Sequence, residues 1–282
     1  MKIALIQFET KIRQSFSVIS RRVIDFIKKA KKENCQIICF PEDFWFGPLD
    51  YYSSKEIEKI TTKFFSQIIN WFCHQAKRYS INIIPGSFII KEKNHYFNQT
   101  FFINENGKIL FTHKKQKLVP FGFEGKKVSS GKNDFKTIEI ENIKIGLLIC
   151  RELFYEELFK KLRKKGTQII FISSFWPKRS SDYNNHQLKN KYNMLSEMKA
   201  IDALCQARAF ENEIAVCFVN ACGNLKEKND FDVLAGRTQV CLPFYGCLKN
   251  LKQNKEGMIV FDFDKTIIED ARKAYQLFIK KI

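Results

Sequence analysis

The feature that most constrains the fold is an alternation between short continuous apolar runs and longer segments whose apolar residues recur every three or four positions. Short apolar runs are typical of buried strands, and the longer period is typical of helices that cover a sheet. Residues 2–7 read as such a strand, and residues 13–32 as a helix with one apolar stripe through Phe16, Val23 and Ala30. The pattern therefore predicts a layered α/β fold with helices outside a pair of sheets.

The same reasoning predicts the remaining elements. Strands are expected at residues 36–40, 82–90, 98–104, 108–112, 135–140, 143–149, 168–173, 213–220, 237–242 and 257–263, and helices at 55–78, 154–164, 192–210 and 267–279. Pro41 ends the second strand because it cannot donate to a central ladder, and residues 104–107, with Asn106 before Gly107, supply hairpin turn chemistry. No stretch resembles a linker, so one domain is expected over residues 1–282.

The composition bounds the class of protein. Hydrophobic residues make up 45% of the chain, including 28 Phe, which is ample for a large core. No apolar run approaches the roughly 20 residues that span a bilayer, and no signal peptide pattern opens the chain, so a cytoplasmic protein is expected. The nine cysteines form no CxxC pair and mostly lie in apolar runs, which favours reduced thiols over a disulfide framework or a zinc site.

The formal net charge of +18 raises the question of nucleic-acid binding. The lysines, however, are scattered along the chain in pairs such as Lys28 with Lys29 and Lys126 with Lys127. No stripe of basic and aromatic residues appears, which disfavours a specific nucleic-acid partner. Attraction of anionic substrates or membrane surfaces stays open.

Three chemically useful residues follow apolar strands: Glu42, Lys115 and Cys150. Strand ends are where α/β proteins tend to place functional groups. A thiol needs a base or a nearby cation to be a nucleophile at neutral pH. Glu42 is suited to take the proton and return it to a leaving amine, and Lys115 to stabilise the thiolate and then an oxyanion. Taken alone, each residue has an ordinary structural explanation: Cys150 as a core residue, Glu42 as a turn cap and Lys115 as a solvated charge.

The local sequences together resemble the nitrilase superfamily of carbon–nitrogen hydrolases. The opening MKIALIQF, the segment IICFPEDFWFG, residues 85–112 with their Asn-Gly turn, HKKQKLVPFGFE and GLLICREL occur in the family's order. Downstream, FISSFWP, ARAFENEIAVCFVNACG and LAGRTQVCLPFYG extend the resemblance over nearly the full chain. Order, spacing and coverage make the likeness specific, although each string alone is weak.

The resemblance implies a four-layer α-β-β-α sandwich that pairs into a homodimer or higher homo-oligomer and needs no metal or organic cofactor. It implies a catalytic triad of Glu42, Lys115 and Cys150, in which Lys115 is selected over its neighbours by its position three residues before Leu118. Glu124 is the candidate for a second glutamate that several members use. The main-chain N–H of Arg151 is expected to help bind the oxyanion.

Substrate selection is expected to depend on residues near the strand ends, namely Trp45, Phe121, Ser174, Phe175 and Trp176, each of which is equally compatible with a core position. The expected substrate is a small non-peptide amide or N-carbamoyl amide. A basic rim of Lys117, Arg151 and Lys178 favours an acidic amide.

Several alternatives stay open. The same triad supports nitrile hydrolysis or N-acyl transfer, and the fold supports a catalytically silent binding protein. The Cys-Xaa-Glu form and the LVPFG string lean toward the apolipoprotein N-acyltransferase branch, but the transmembrane region of that branch has no counterpart here. A dyad of Cys150 with His113 is a further alternative.

Overall fold

The computed structural model describes residues 1–132, 135–179, 196–227 and 230–278. The strands are β1 (Lys2–Gln7), β2 (Ile37–Cys39), β3 (Asn82–Ile84), β4 (Ser87–Glu92), β5 (His95–Ile103), β6 (Ile109–Lys114), β7 (Ile138–Ile140), β8 (Ile143–Ile149), β9 (Ile169–Ser174), β10 (Pro177–Arg179), β11 (Ala215–Asn220), β12 (Asn224–Glu227), β13 (Asp230–Leu234), β14 (Gln239–Leu242), β15 (Gly246–Asn250) and β16 (Gly257–Asp262). The α-helices are α1 (Phe16–Lys32), α2 (Ser54–Lys59), α3 (Phe65–Tyr79), α4 (Gly122–Lys127), α5 (Glu156–Lys164), α6 (Ser196–Glu211) and α7 (Thr266–Tyr275).

Two large mixed sheets carry the fold. The first has the order β16-β1-β2-β3-β5-β4, with β6 also paired to β5, and the second has the order β15-β14-β11-β9-β8-β7. At the centre of the first sheet β1 runs parallel to β2, and at the centre of the second β9 runs parallel to both β8 and β11. A small third sheet joins β10, β13 and β12.

Alternating side chains divide each central strand between two layers of core. In β1, Ile3 and Leu5 face the second sheet, where they share a buried cluster with Leu147 and Phe171. The other face of β1 packs with α1 and α3. Strand side chains alternate with a period of two, so one strand can serve both faces only when both are covered.

The helices form the outer layers. Helices α1 and α3 cover the first sheet, through residues such as Val23 and Phe72. Helices α5 and α6 cover the second sheet, through residues such as Phe159 and Ile201. The arrangement is a four-layer α-β-β-α sandwich, so the predicted fold class is confirmed.

Several predicted boundaries differ from the observed ones. The expected helix at residues 55–78 is divided by a π-helical turn at Ile60–Phe64. The expected strand at 82–90 is divided into β3 and β4 by a turn at Gly86, whose φ of +83° favours glycine. The third sheet, β15 and α4 were not predicted, because they are short and lack a clear apolar period. Residues 192–195 and 279 of the two C-terminal predicted helices lie outside the described residues.

In the part of the chain that the structure describes, no helix is long and apolar enough to cross a bilayer.

Candidate active site

The carboxylate of Glu42 is fixed by a close approach of two chain segments. Glu42 follows β2 and forms an isolated parallel bridge with Ser87 at the start of β4. A Cβ at Gly86 would lie 1.9 Å from the carbonyl oxygen of Pro41, so only glycine fits there. The chain beside Pro41 can therefore approach closely enough to hold Glu42 at the strand end.

Three donors surround this carboxylate, which is 2% exposed. Oε1 accepts hydrogen bonds from Asn98 Nδ2 at 2.7 Å and from Lys115 Nζ at 3.0 Å. Oε2 accepts one from the backbone N–H of Phe175 at 2.9 Å. Such a set of donors satisfies a buried charge and fixes its orientation.

The ammonium of Lys115 lies between two carboxylates. Lys115 is the first residue after β6, and its backbone N–H donates to the carbonyl of Asn98 at 2.8 Å. Its Nζ donates to Glu42 Oε1 at 3.0 Å and to Glu124 Oε2 at 2.9 Å. Burial lowers the pKa of Lys115, but the charges of Glu42 and Glu124 outweigh it and leave that pKa well above its usual value. Lys115 is therefore a permanent cation at neutral pH.

Glu124, on the short helix α4, completes the polar cluster. Its Oε2 accepts from Asn98 Nδ2 at 3.1 Å as well as from Lys115, and its Oε1 accepts from the backbone N–H of Val119 at 2.7 Å. The Glu124 carboxylate is therefore held against both Lys115 and Asn98.

Cys150 lies at the sharp turn that follows β8. Its φ is +45°, a left-handed conformation that is uncommon outside glycine and recurs at functional sites. Burial raises the pKa of the Cys150 thiol and Glu42 raises it further, whereas Lys115, the hydroxyl of Ser174 and the N–H of Phe175 lower it. The net pKa is well above that of a free cysteine, so the thiol is neutral in the resting protein.

Glu152 supports both the Cys150 turn and the Lys115 segment from inside the protein. Its fully buried carboxylate accepts from the backbone N–H of Ile149 at 2.8 Å and from that of Gln116 at 2.8 Å. His113 Nε2 lies 2.8 Å from the same carboxylate. The structure thus pairs His113 with Glu152 and makes it part of this support.

A cavity of about 340 Å³ opens over these groups. Its wall includes Glu42, Lys115, Glu124, Cys150 and Arg151, so all five residues expected to carry chemistry meet at one surface. Arg151 Nε is buried and has no hydrogen-bond partner among the described residues.

The five residues expected to select the substrate have different positions. Phe121, Phe175 and Trp176 line the cavity. Ser174 is buried and is not among the described residues that line the cavity, and its hydroxyl lowers the pKa of the Cys150 thiol. The expectation for Trp45 was wrong: it is 2% exposed, packs in the α1–α3 core and is not among the described residues that line the cavity. Its bulk and the neighbouring aromatic rings favour this interior position.

The expected basic rim is reduced to one residue. Lys117 pairs with Glu157 at 2.8 Å, and neither Lys117 nor Lys178 is among the described residues of the cavity wall. Further acidic side chains line the wall, namely Asp43, Asp50, Glu197 and Asp232. Burial raises the pKa of Asp43 well above its usual range, and Glu42 and Glu124 raise it further.

Sequence reasoning missed Asn98, Glu152 and Asp43. Asn98 reaches Glu42 across 56 positions of sequence, which no local pattern reveals. Glu152 carried one usable signal, because a carboxylate two residues after a candidate nucleophile is near the turn. Within the described ranges, no group of three or more His, Cys, Asp or Glu side chains is arranged to hold a metal ion.

Comparisons with known proteins show what the chain is similar to. The sequence model described as carbon-nitrogen hydrolase matches residues 2–273. A 2-oxoglutaramate amidase of Bacillus subtilis is 24% identical over 253 residues, which cover 90% of this chain and 87% of that protein.

Solved structures show the same fold at low sequence identity. A carbon-nitrogen hydrolase from Helicobacter pylori G27 has a TM-score of 0.83 at 16% identity and covers 98% of this chain and 93% of that one. A glutamate-to-glutamine mutant of an amidase from Nesterenkonia sp. AN1 has a TM-score of 0.76 at 18% identity, with 98% and 95% coverage. In that structure, the acetamide moiety of fluoroacetamide is bound covalently to the active-site cysteine.

Proposed function

Because the chain belongs to the carbon–nitrogen hydrolase family, whose members hydrolyse carbon–nitrogen bonds other than peptide bonds, we propose that it is an amidase that forms a thioester on Cys150. Glu42 is the general base and acid, and Lys115 is the oxyanion stabiliser. The observation that carries the proposal is the buried Lys115 ammonium, held between Glu42 and Glu124 in the cavity that Cys150 also lines.

The raised pKa of Cys150 defines the first step. Because the resting thiol is neutral, Glu42 removes its proton as sulfur attacks the amide carbon. The carbonyl oxygen becomes an oxyanion, which the Lys115 ammonium and the Arg151 N–H stabilise. Glu42 then passes the proton to the departing amine, the carbon–nitrogen bond breaks and a thioester remains.

The second step releases the acid. Glu42 takes a proton from water as the water oxygen attacks the thioester, and the carbon–sulfur bond breaks with the proton returning to sulfur. Glu124 holds the Lys115 ammonium at 2.9 Å throughout, which keeps the cation oriented without a second catalytic base. The carboxylic acid leaves, and the neutral thiol is restored.

The cavity bounds the substrate class. A volume of about 340 Å³ suits a small molecule, and Phe121, Phe175 and Trp176 offer apolar contact to its acyl chain. Arg151, with its unpartnered buried Nε, is the group that would bind a substrate carboxylate. The name of the Bacillus relative, 2-oxoglutaramate amidase, supports an acidic amide of this kind.

The experiment is intact-mass analysis of wild type, Cys150→Ala and the control Cys73→Ala, each incubated with amides, ureido acids and nitriles. The panel pairs acidic with neutral compounds of equal size, and released ammonia is assayed in parallel. We expect an acyl adduct and ammonia from wild type and Cys73→Ala, neither from Cys150→Ala, and faster turnover of the acidic amides. Faster turnover of the neutral amides than of the acidic ones would contradict a role of Arg151 in substrate selection.

Other outcomes identify the alternatives. An adduct formed only from nitriles would replace the amidase with a nitrilase that passes through a thioimidate. An adduct that is discharged by an added amine, and not by water, would indicate an N-acyltransferase. The absence of adduct and ammonia across the panel would contradict the proposal and leave a binding protein of this fold.

A further inference from the structure

A hairpin outside the described lining of the cavity places two cysteines opposite one another. Strands β14 and β15 are antiparallel neighbours, and Cys241 is the register partner of Cys247. Directly opposed residues in such a pair have Cα atoms about 4.5–5.5 Å apart. That separation falls within the range that a disulfide bond spans. The ladder has an irregularity between Val240 and Cys241, but Cys241 remains the partner of Cys247, so the register places the two thiols within reach of a disulfide bond.

The two thiols have complementary environments. Cys247 is half-buried, and Asn250 Nδ2 donates to its sulfur at 3.1 Å. A hydrogen bond from the Cys241 thiol lowers the pKa of Cys247 to about 6, against the effect of burial, and Asn250 lowers it further. Cys241 is buried, and the hydrogen bond with Cys247 together with burial raises its pKa. The half-buried Cys247 is thus the more accessible thiol and has the lower pKa, while the buried Cys241 stays protonated at neutral pH.

No other cysteine of the chain combines these properties, and all nine lie in described segments. Cys73 is also half-buried, but burial raises the pKa of its thiol. Cys150 is buried and its pKa is raised as well. The thiolate is the form that reacts with peroxides, and access decides which thiolate is reached first. Cys247 is therefore the thiol most exposed to oxidation, ahead of the cysteine of the cavity.

We propose that Cys247 and Cys241 form a peroxide-reactive dithiol that closes to an intrachain disulfide. The Cys247 thiolate attacks one oxygen of a hydroperoxide, the oxygen–oxygen bond breaks, and a sulfenic acid forms on Cys247 as hydroxide or alkoxide leaves. The Cys241 sulfur then attacks the Cys247 sulfur, its proton goes to the departing hydroxide, and water is released. In total, two thiols are oxidised and one peroxide is reduced to water and an alcohol, or to two waters.

This modification site does not depend on the amidase proposal. Neither Cys241 nor Cys247 is among the described residues that line the cavity. Loss of activity after oxidation would therefore be attributed to Cys150, and disulfide formation is measured without any substrate.

The test is hydrogen peroxide titration of the reduced full chain, followed by N-ethylmaleimide, trypsin and mass spectrometry without reductant. Cleavage after Arg237 and Lys249 leaves both cysteines in one peptide, residues 238–249. We expect this peptide to lose two hydrogens and to take up no maleimide, at a peroxide dose that leaves the peptides of Cys73 and Cys150 labelled. Labelling of both hairpin cysteines when Cys150 is already oxidised would overturn the proposal.

Two variants test the order of the steps. Cys241→Ala should stop at the sulfenic acid of Cys247, which dimedone traps, whereas Cys247→Ser should leave Cys241 reduced. A matched Cys205→Ser variant removes the buried cysteine of α6 that lies near both thiols, and it should still form the disulfide. A disulfide from Cys247 to Cys205 in the wild type, or oxidation of Cys241 in Cys247→Ser, would contradict the pairing.

Discussion

Cys150 and Cys247 belong to the same six-stranded sheet, the first at the end of β8 and the second on the edge strand β15, yet their surroundings shift the thiol pKa in opposite directions. Burial raises the pKa of Cys150 and Glu42 raises it further. Hydrogen bonds from Cys241 and Asn250 lower the pKa of half-exposed Cys247 to about 6. The proposed nucleophile is therefore the thiol that is less ionised at rest.

This difference separates two kinds of reactivity. Cys247 offers a thiolate to solvent, and it is not among the described residues that line the cavity. In the proposed mechanism Cys150 stays neutral until a substrate is bound, when Glu42 takes its proton and Lys115 stabilises the developing negative charge. A buried neutral thiol is protected from peroxides, so the arrangement suits a nucleophile that reacts with one class of substrate only.

The largest expected effect separates the two cysteines by activity. Cys150→Ala should lower kcat/KM by about 10⁴-fold or more, because no other group can form the thioester. Cys247→Ser should leave kcat/KM within about twofold of wild type. Steady-state kinetics on an amide found in the panel measures both, and thermal melting verifies that both variants are folded. A similar loss in the two variants would break the comparison, because the hairpin would then contribute to catalysis.

The second effect tests the buried Lys115 cation, whose charge lowers the pKa of Cys150. Lys115→Gln should lower kcat by about 10²–10³-fold through loss of oxyanion stabilisation. It should also lower the free energy of unfolding by about 3–5 kcal/mol, because Glu42 and Glu124 lose their buried counter-ion. Chemical denaturation and single-turnover kinetics measure the two effects separately.

The neighbouring lysine is the matched control for this prediction. Lys114 pairs with Glu92 at the surface, and such a pair contributes about 0.2–1 kcal/mol. Lys114→Gln should therefore keep kcat and nearly all stability. Equal losses of kcat in Lys114→Gln and Lys115→Gln would indicate that positive charge in this segment, and not the position of Lys115, supports the reaction.

The third effect concerns the support beneath Cys150. Glu152 accepts from the N–H groups of Ile149 and Gln116, the neighbours of Cys150 and Lys115. Glu152→Gln should lower the free energy of unfolding by about 1–3 kcal/mol and kcat by about 10–10²-fold through misplacement of the reacting groups, with KM nearly unchanged.

A surface glutamate provides the control for that role. Glu157 pairs with Lys117 outside the cavity, so Glu157→Gln should keep kcat. Loss of stability in Glu152→Gln without any loss of kcat would make Glu152 a structural residue only. A positioning residue is expected to change kcat and the rate at which thiol reagents modify Cys150, and a structural one is not.

The apolar patterns of the large elements predicted a layered α/β fold, whereas the four-layer α-β-β-α sandwich was implied by the family resemblance. The apolar pattern of a strand such as β1 or a helix such as α1 can be recognised from its own residues. The buried clusters on the two faces of β1 confirm the layers that these patterns predict. The small third sheet and β15 were missed because strands of three to five residues contain too few alternations to be recognised. The hairpin that brings Cys241 and Cys247 together therefore had no sequence-based prediction.

For the site, sequence proved informative about residues and less so about their surroundings. Glu42, Lys115 and Cys150 were selected by their places after strands and by resemblance, and the structure brings them to one cavity. Trp45 was misplaced, because an aromatic residue three positions after Glu42 has the same signature in a core and in a pocket. Asn98 was missed because its contacts with Glu42 and Glu124 depend on where the fold places β5 relative to α4 and to the segment that follows β2.

The pH dependence of thiol modification sharpens the comparison by a smaller effect. A thiolate is required for reaction with methyl methanethiosulfonate. The rate of modification of Cys247 should therefore reach half of its maximum near pH 6 and approach that maximum by about pH 7. Because the pKa of Cys150 is raised, its modification should still be increasing at about pH 9. Rates are measured peptide by peptide with mass spectrometry, and coincident profiles for Cys150 and Cys247 would contradict the assigned environments.

The smallest effect separates the two hydrogen bonds that stabilise the Cys247 thiolate. Cys241 is the larger cause of the lowered pKa and Asn250 the smaller one, so Cys241→Ala should shift the midpoint upward more than Asn250→Ala does. Both substitutions remove a donor to sulfur and therefore favour the protonated thiol, which slows modification at about pH 6 but not at about pH 9. Asn106→Ala, at a distant turn, is the control and should leave the profile unchanged. A larger shift in Asn250→Ala than in Cys241→Ala would mean that the amide, and not the neighbouring thiol, keeps Cys247 ionised, and the dithiol would then lose its main electrostatic support.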